Sequence, residues 1–174
     1  MAPSSYQAPT RGDKTDNRTH SQSTDSNLSN TNTTVAKLLE GKGDAIFSVR
    51  PNDTISHVVQ VLRDKRIGAL VVTDQNGTLQ GILSERDIVR RMAETPGQTL
   101  PQEVEALMTR DVVTCAPDEY LMEVLKKMTE GRFRHMPVLK EGKLCGMITI
   151  GDVVNFRLRE LEYEALKMRQ MIVG

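Results

Sequence analysis

The 174-residue sequence predicts an α/β (α+β) protein made of two copies of one strand–helix–strand–strand–helix unit, followed by a long C-terminal helix. Three observations carry that expectation. The chain matches itself when slid by 66 residues, and by 65 after one residue drops out of a turn. A fixed self-similarity of this length marks a duplicated supersecondary unit. Each copy also runs through the same order of apolar patterns, short runs for strands and helical spacing for helices. Finally, aromatic residues are only 3% of the chain and Trp is absent, so the core must be aliphatic. One copy of about 50 residues buries too little surface to stand alone, so the two should pack face to face.

The elements follow in order. Residues 1–34 hold 17 Ser, Thr or Asn, with Tyr6 and Leu28 as the sizeable apolar groups, and are expected to form a disordered tail. Val35, Leu38 and Leu39 begin a short helix that Gly41-Lys42-Gly43-Asp44 ends. In the first copy a strand at Ile46–Val49 meets a Pro51-Asn52 turn, and Ile55, Val58, Val59 and Leu62 mark a helix. A buried strand at Ala69–Thr73 then turns at Asp74-Gln75-Asn76-Gly77, where Asn-Gly is a strong hairpin signal. The strand Leu79–Leu83 runs straight into a second helix. The second copy repeats this with a strand at Val112–Cys115, a helix bearing Leu121, Val124, Leu125 and Met128, and strands at Met136–Leu139 and Leu144–Ile148. The expected organisation is therefore a first unit with its preceding short helix at 35–94, a linker at 95–109, a second unit at 110–157 and a helical extension at 158–174. In that last helix Val154, Leu158, Leu161, Ala165, Met168 and Ile172 recur at spacings of 4, 3, 4, 3 and 4, a narrow coiled-coil-type seam that predicts at least a homodimer.

Composition excludes several classes of function. Lys+Arg and Asp+Glu both total 23, so the basic excess of a general nucleic-acid binder is missing. No apolar run approaches about 18 residues, the usual length of a membrane span. The N-terminus lacks a charged start followed by an apolar run, so a cytoplasmic protein is expected. Sequons at Asn17, Asn27, Asn32, Asn52 and Asn76 matter only in a secretory pathway, and Arg11-Gly12-Asp13 reads as a chance triplet in the tail. Neither a Rossmann nor a P-loop glycine pattern occurs. His20, His57 and His135 have no metal-ligand spacing, and Cys115 and Cys145 read as small buried hydrophobes.

Chemistry concentrates where the last strand of each copy gives way to a helix: Gly81-Ile82-Leu83-Ser84-Glu85-Arg86-Asp87-Ile88-Val89, then Gly146-Met147-Ile148-Thr149-Ile150-Gly151-Asp152-Val153-Val154. Ser/Thr followed three residues later by an acid resembles a capping box, and folding alone could demand it. The same exit suits a ligand. A helix N-terminus offers free N–H groups and positive potential to a phosphate, and an Asp there can accept hydrogen bonds from two ribose hydroxyls.

The doubled Gly-aliphatic-aliphatic-[Ser/Thr]-x-x-Asp motif, placed behind such a hairpin, resembles the CBS domain, named after cystathionine beta-synthase. Arg134-His135-Met136-Pro137-Val138 is similar to a frequent strand start in that family, and Ser84 to Arg90 resembles the form common in bacterial stand-alone CBS pairs. The resemblance covers residues 44–157. It implies two βαββα repeats in a pseudo-twofold pair, with two clefts for adenosine nucleotides of the AMP, ADP, ATP, NAD or S-adenosylmethionine type. Carried onto this chain, Asp87 and Asp152 would take the ribose hydroxyls with Ser84 and Thr149 beside them. Ser48 and Thr114 would approach the base, and Ile67-Gly68-Ala69 and His135-Met136-Pro137 would line its pocket. Arg86, Arg134 and His135 would contact phosphate. The copies depart from each other here, since Gly151 stands where Arg86 sits and Gly68-Ala69 where Arg134-His135 sits. One fully charged site could then be assembled across the pair. The implied function is a non-catalytic sensor, with no catalytic residue, metal or required cofactor, that regulates a separate partner protein or its own oligomer. The alternative is an assembly module whose clefts stay empty.

Overall fold

The computed structural model describes residues 33–43 and 45–173, so the expected tail lies outside the described residues except for Thr33 and Thr34. The order is α1 (Val35–Lys42), β1 (Ser48–Val49), α2 (Ile55–Lys65), β2 (Ala69–Thr73), β3 (Leu79–Ser84), α3 (Glu85–Glu94), a single 3-10 turn at Val104–Ala106, α4 (Leu121–Gly131), β4 (His135–Lys140), β5 (Lys143–Thr149) and α5 (Ile150–Val173). The duplicated helices form for the same reasons. Ile55, Val58 and Leu62 on α2 match Leu121, Val124 and Met128 on α4, each a buried stripe at helical spacing. Both helices end on a residue in the left-handed region, Arg66 at φ 54° and Arg132 at φ 57°, which turns the chain into the next strand.

The sheets are less equal than the repeat predicts. The first unit carries a three-stranded sheet in the order β1-β2-β3, with β1 parallel to β2 in the register Ser48↔Val71 and Val49↔Val72, and β2 antiparallel to β3. Among the described residues the second unit carries only the β4-β5 hairpin. Its expected strand at Val112–Cys115 shrinks to one bridge, Cys115 to Val138. The cause is one missing donor. In the first unit the Val71 N–H donates to the Phe47 carbonyl at 3.3 Å. The residue 66 positions further on is Pro137, which has no N–H to offer Val113. The ladder resumes one step later, with the Cys115 N–H donating to the Pro137 carbonyl at 3.1 Å and the Leu139 N–H to the Cys115 carbonyl at 2.9 Å.

Both expected hairpins form, and they turn differently. Asn76 keeps a negative φ while Gly77 is at 80°, and Asp74 holds that loop by accepting from the N–H groups of Asn76 and Thr78, both at 2.9 Å. The two-residue turn with both φ positive belongs to the second unit, at Glu141 (50°) and Gly142 (76°).

Each unit has its own aliphatic core, and each core is completed by the segment that precedes the other unit. Val35 and Leu38 of α1 join Leu121, Val124, Met136 and Ile148 in the second core. Val104 and Met108 join Ile55, Val58, Leu70 and Leu83 in the first. The two docking arrangements are copies. The Val35 N–H donates to the Glu119 carbonyl and the Val104 N–H to the Asp53 carbonyl, both at 2.9 Å. Thr34 bridges Tyr120 as Glu103 bridges Thr54. The short helix expected to belong with the first unit therefore packs on the second, and the stretch expected as linker contributes core residues to the first.

Candidate functional site

The two strand-to-helix exits are built alike. On the first, both the backbone N–H and the hydroxyl of Ser84 donate to Asp87 Oδ2, at 3.0 and 2.5 Å. On the second, the N–H and hydroxyl of Thr149 donate to Asp152 Oδ2, both at 2.8 Å, and the Asp152 N–H donates back to Thr149 Oγ1 at 3.1 Å. Both motifs thus act as helix caps, which satisfies donors at the start of α3 and α5. Each cap engages one carboxylate oxygen. Among the described residues the Oδ1 atoms make no hydrogen bond, which leaves capacity for a ligand hydroxyl.

The first exit opens into a cavity of about 480 Å³. The first unit supplies Gly68, Ser84, Arg86 and Asp87 to its wall. The second supplies Arg132, Phe133, Arg134 and His135. Thr109, Asp111, Val112 and Val113 close it from the segment between the units. Arg86, Arg134 and His135, separated between the copies in sequence, thereby share one cleft. Arg86 Nη1 already reaches across it to the Arg132 carbonyl at 3.2 Å. A Cβ on Gly68 would stand 3.3 Å from the His135 ring, so the imidazole would have to give by a few tenths of an ångström. Burial holds the His135 pKa below its ordinary value, and the Lys42 and Arg134 cations push the same way against the Glu85 and Asp152 carboxylates. The imidazole is accordingly neutral near pH 7.

The second exit is covered instead. Lys42 Nζ, at the end of α1, donates to Asp152 Oδ2 at 2.5 Å and to the Met147 carbonyl at 2.9 Å. Burial alone would raise the Asp152 carboxyl, but the hydrogen bonds from Lys42 and Thr149 outweigh it and hold the pKa below the usual carboxylate value. Among the described residues no cation pairs with Asp87.

The remaining expected contacts are placed less favourably. Ser48 is exposed on β1, while Thr114 and Ile67 are half-buried, and none of the three lines the first cavity. Ala69 (4% exposed), Met136 (0%) and Pro137 are buried, so their side chains have no face for a ligand. For Met136 the pleat explains this, because its strand neighbour His135 points into the cleft; Ala69 and Pro137 lie in strand stretches buried on both faces. Cys115 is buried as expected, and desolvation pushes its thiol up to about 12, which leaves it inert. Among the described residues no group of three His, Cys, Asp or Glu could hold a metal ion. No helix there is long and apolar enough to cross a membrane.

Sequence reasoning missed Lys42, Asp111, Arg132 and Phe133. Phe133 was within reach: it lies 66 residues beyond Ile67, which the repeat had already placed beside the base. Asp111 stands just ahead of the strand expected at Val112–Cys115, where the repeat pattern assigns no role, and Lys42 was hidden by reading Gly41-Lys42-Gly43 as a helix stop.

Comparison with known proteins agrees with this fold. The family model for the CBS domain matches residues 44–94 and 104–159, so its second match begins at the segment that completes the first core. The mitochondrial CBS domain-containing protein CBSX3 of Arabidopsis thaliana is 29% identical over 150 residues, spanning 82% of this chain and 73% of that one. The crystal structure of the CBS-domain containing protein ATU1752 from Agrobacterium tumefaciens is 42% identical with a TM-score of 0.70, covering 72% of this chain and 99% of that one. The CBS domain pair of protein MJ0100, crystallised with 5-methylthioadenosine and S-adenosyl-L-methionine, is 25% identical with a TM-score of 0.66, covering 74% and 98%.

Proposed function

Because this chain belongs to the CBS-domain family, we propose that it is a regulatory module, without catalysis of its own, that binds an adenosine nucleotide in the first cleft. The observation that carries this reading is the meeting of Asp87, Arg86, Arg134 and Phe133 around one cavity of about 480 Å³. Asp87 sits capped at the start of α3 with one oxygen to spare for ribose hydroxyls. The α3 N-terminus adds positive potential, and Arg86 brings a forked donor that a phosphate can take from the Arg132 carbonyl. Phe133 supplies an aromatic face for the base, beside Val112 and Val113. The bound adenosine compounds of the similar MJ0100 pair support the ligand class. Within that class AMP, ADP, ATP, NAD and S-adenosylmethionine remain the candidates, and such ligands suit a cytoplasmic protein.

Occupancy is passed on through a homodimer or to a separate protein. Val154, Leu158, Leu161, Met168 and Ile172 on α5 are 43 to 83% exposed, so the apolar seam does not fold back on its own unit. That exposed seam supports a homodimer. It also supports the second reading, an assembly module in which the Ser/Thr-Asp pairs act only as caps.

Thermal unfolding with each candidate separates the two. A ligand at 100 times its Kd adds about 2.7 kcal/mol of stability, and an assembly module gains nothing. Asp87→Asn keeps the size and most of the cap but weakens acceptance of the ribose hydroxyls. It should cost about 1–3 kcal/mol of binding by calorimetry. Unchanged affinity with the fold intact overturns the ribose role.

A further inference from the structure

The two exits share a cap and differ in the group that stands over it. The alignment that places Val104 on Val35 and Met108 on Leu39, 69 residues apart, places Asp111 on Lys42. The paired contacts support that alignment, since Met108 stands against Gly81 as Leu39 stands against Gly146. At the first cleft this position is a carboxylate lining the cavity, and among the described residues no cation pairs with Asp87. At the second it is an ammonium that sits on Asp152.

We propose that Lys42 is the residue that decides which cleft binds, by occupying the Asp152 carboxylate that a ribose would need and so restricting the chain to one nucleotide, held in the first cleft. The inference rests on the nucleotide-binding reading above and specifies its stoichiometry. Lys42 engages two acceptors of the second exit at once, Asp152 Oδ2 and the Met147 carbonyl. Among the described residues Oδ1 stays open, but the ammonium already answers the charge of this carboxylate. A ribose hydroxyl there meets a weaker acceptor beside a cation, where the first exit offers a carboxylate unpaired among the described residues. The lysine is also held in place. Behind it α1 is fastened to the second unit by Val35 and Leu38 in the core and by the Thr33 hydroxyl donating to Glu160 Oε1 at 2.6 Å. The ammonium is thus a tethered competitor, present at a high local concentration whatever the ligand concentration. Gly151 weakens the other side of the contest, because the second exit lacks the arginine that Arg86 gives the first.

The test is calorimetric titration of the full-length chain with AMP, ADP, ATP, NAD and S-adenosylmethionine, taking the tightest binder as probe. Wild type should bind one equivalent and Lys42→Met two, with the second-site Kd tightened about tenfold or more. Lys42→Met combined with Asp152→Asn should return to one. Lys42→Met combined with Asp87→Asn should lose the first site and keep the second. Two equivalents in wild type, or one in a folded Lys42→Met, overturn the role of Lys42 and leave the nucleotide reading standing. Absence of binding by every probe to every variant overturns both. A Lys42→Gln variant, which keeps a shorter donor without the charge, should bind a second equivalent more weakly than Lys42→Met. Its agreement with wild type would also overturn the charge-based competition.

Discussion

The two units carry the same cap, the same left-handed helix ends and the same docking of a preceding segment, yet their clefts differ at nearly every wall position. Arg86 corresponds to Gly151, Arg134 to Gly68, and Asp111 to Lys42. The duplication has kept what folding requires and varied what a ligand would meet. Ser84-Asp87 and Thr149-Asp152 are required either way, because a helix that starts directly from a strand must satisfy its first donors. The cap by itself therefore identifies no ligand site. The surrounding charges distinguish the two exits, and in this chain they gather on one side of the pair.

The largest effects should test whether the two units are one folding entity. Leu70 and Met136 occupy equivalent positions in the two cores and both are 0% exposed. Replacing either with Ala removes a large buried side chain and should cost about 2–5 kcal/mol, read from urea unfolding. Because α1 and the Val104 segment are exchanged between units, both variants should lose both cores in a single transition. A biphasic curve for either variant would break the comparison, since it would show that one core survives without the other.

A smaller contrast lies at the docking contacts. A Cβ on Gly81 would stand 2.9 Å from the Thr109 carbonyl and 2.8 Å from Met108 Sδ. That carbonyl is fixed, because it accepts the Ile82 N–H at 3.0 Å. A Cβ on Gly146 meets only Leu39, at 2.9 Å from Cδ1 and 3.0 Å from Cδ2. A side-chain end can rotate and a paired backbone cannot. Gly81→Ala should cost about 1–3 kcal/mol and Gly146→Ala about 1 kcal/mol or less by thermal or urea unfolding. Equal costs would mean that α1 is as rigidly seated as the Val104 segment.

What could be read in the sequence was whatever is local or duplicated. The helical stripes, the β2 and β4 runs and both Asp exits follow from spacing within a few residues, and sliding the chain on itself exposes them together. What could not be read depends on long-range partnership. Val35 and Leu38 announce a buried helix face, but nothing in the pattern says which core receives it. The gathering of Arg86 with Arg134 and His135 in one cleft is offered by the resemblance as a site assembled across the pair, and spacing within either copy does not give it. Lys42 lies 110 positions from Asp152, and a lysine between glycines at a helix end gives no sign that it has a carboxylate to meet. Met136 and Pro137 show the opposite error. A motif carried over as a block assigns every residue to the ligand, whereas β4 buries Met136 and Pro137 together and leaves His135 to reach the cleft.

The smallest expected effect concerns the missing first strand of the second unit. Pro137 stands where Val71 stands in the first unit, and its lost N–H is the physical account of why Val112–Cys115 pairs at Cys115 alone. Pro137→Val restores the donor and a β-branched side chain of similar bulk at a buried position. The new backbone hydrogen bond should contribute about 0.5–1.5 kcal/mol. Removing proline frees the unfolded chain and costs about 0.4–1 kcal/mol. The two nearly cancel, so stability alone cannot decide the matter, and amide hydrogen exchange can. The new amide at position 137 should become protected to a degree comparable with Val71, whose bond to the Phe47 carbonyl is the internal standard. The Leu139 amide, already bonded to the Cys115 carbonyl, should be unchanged. If position 137 exchanges freely, proline is not what shortens the strand. The cause would then lie in residues 112–114, where Val113 is 46% exposed, with Val112 and Val113 held against the first cleft instead of along β4.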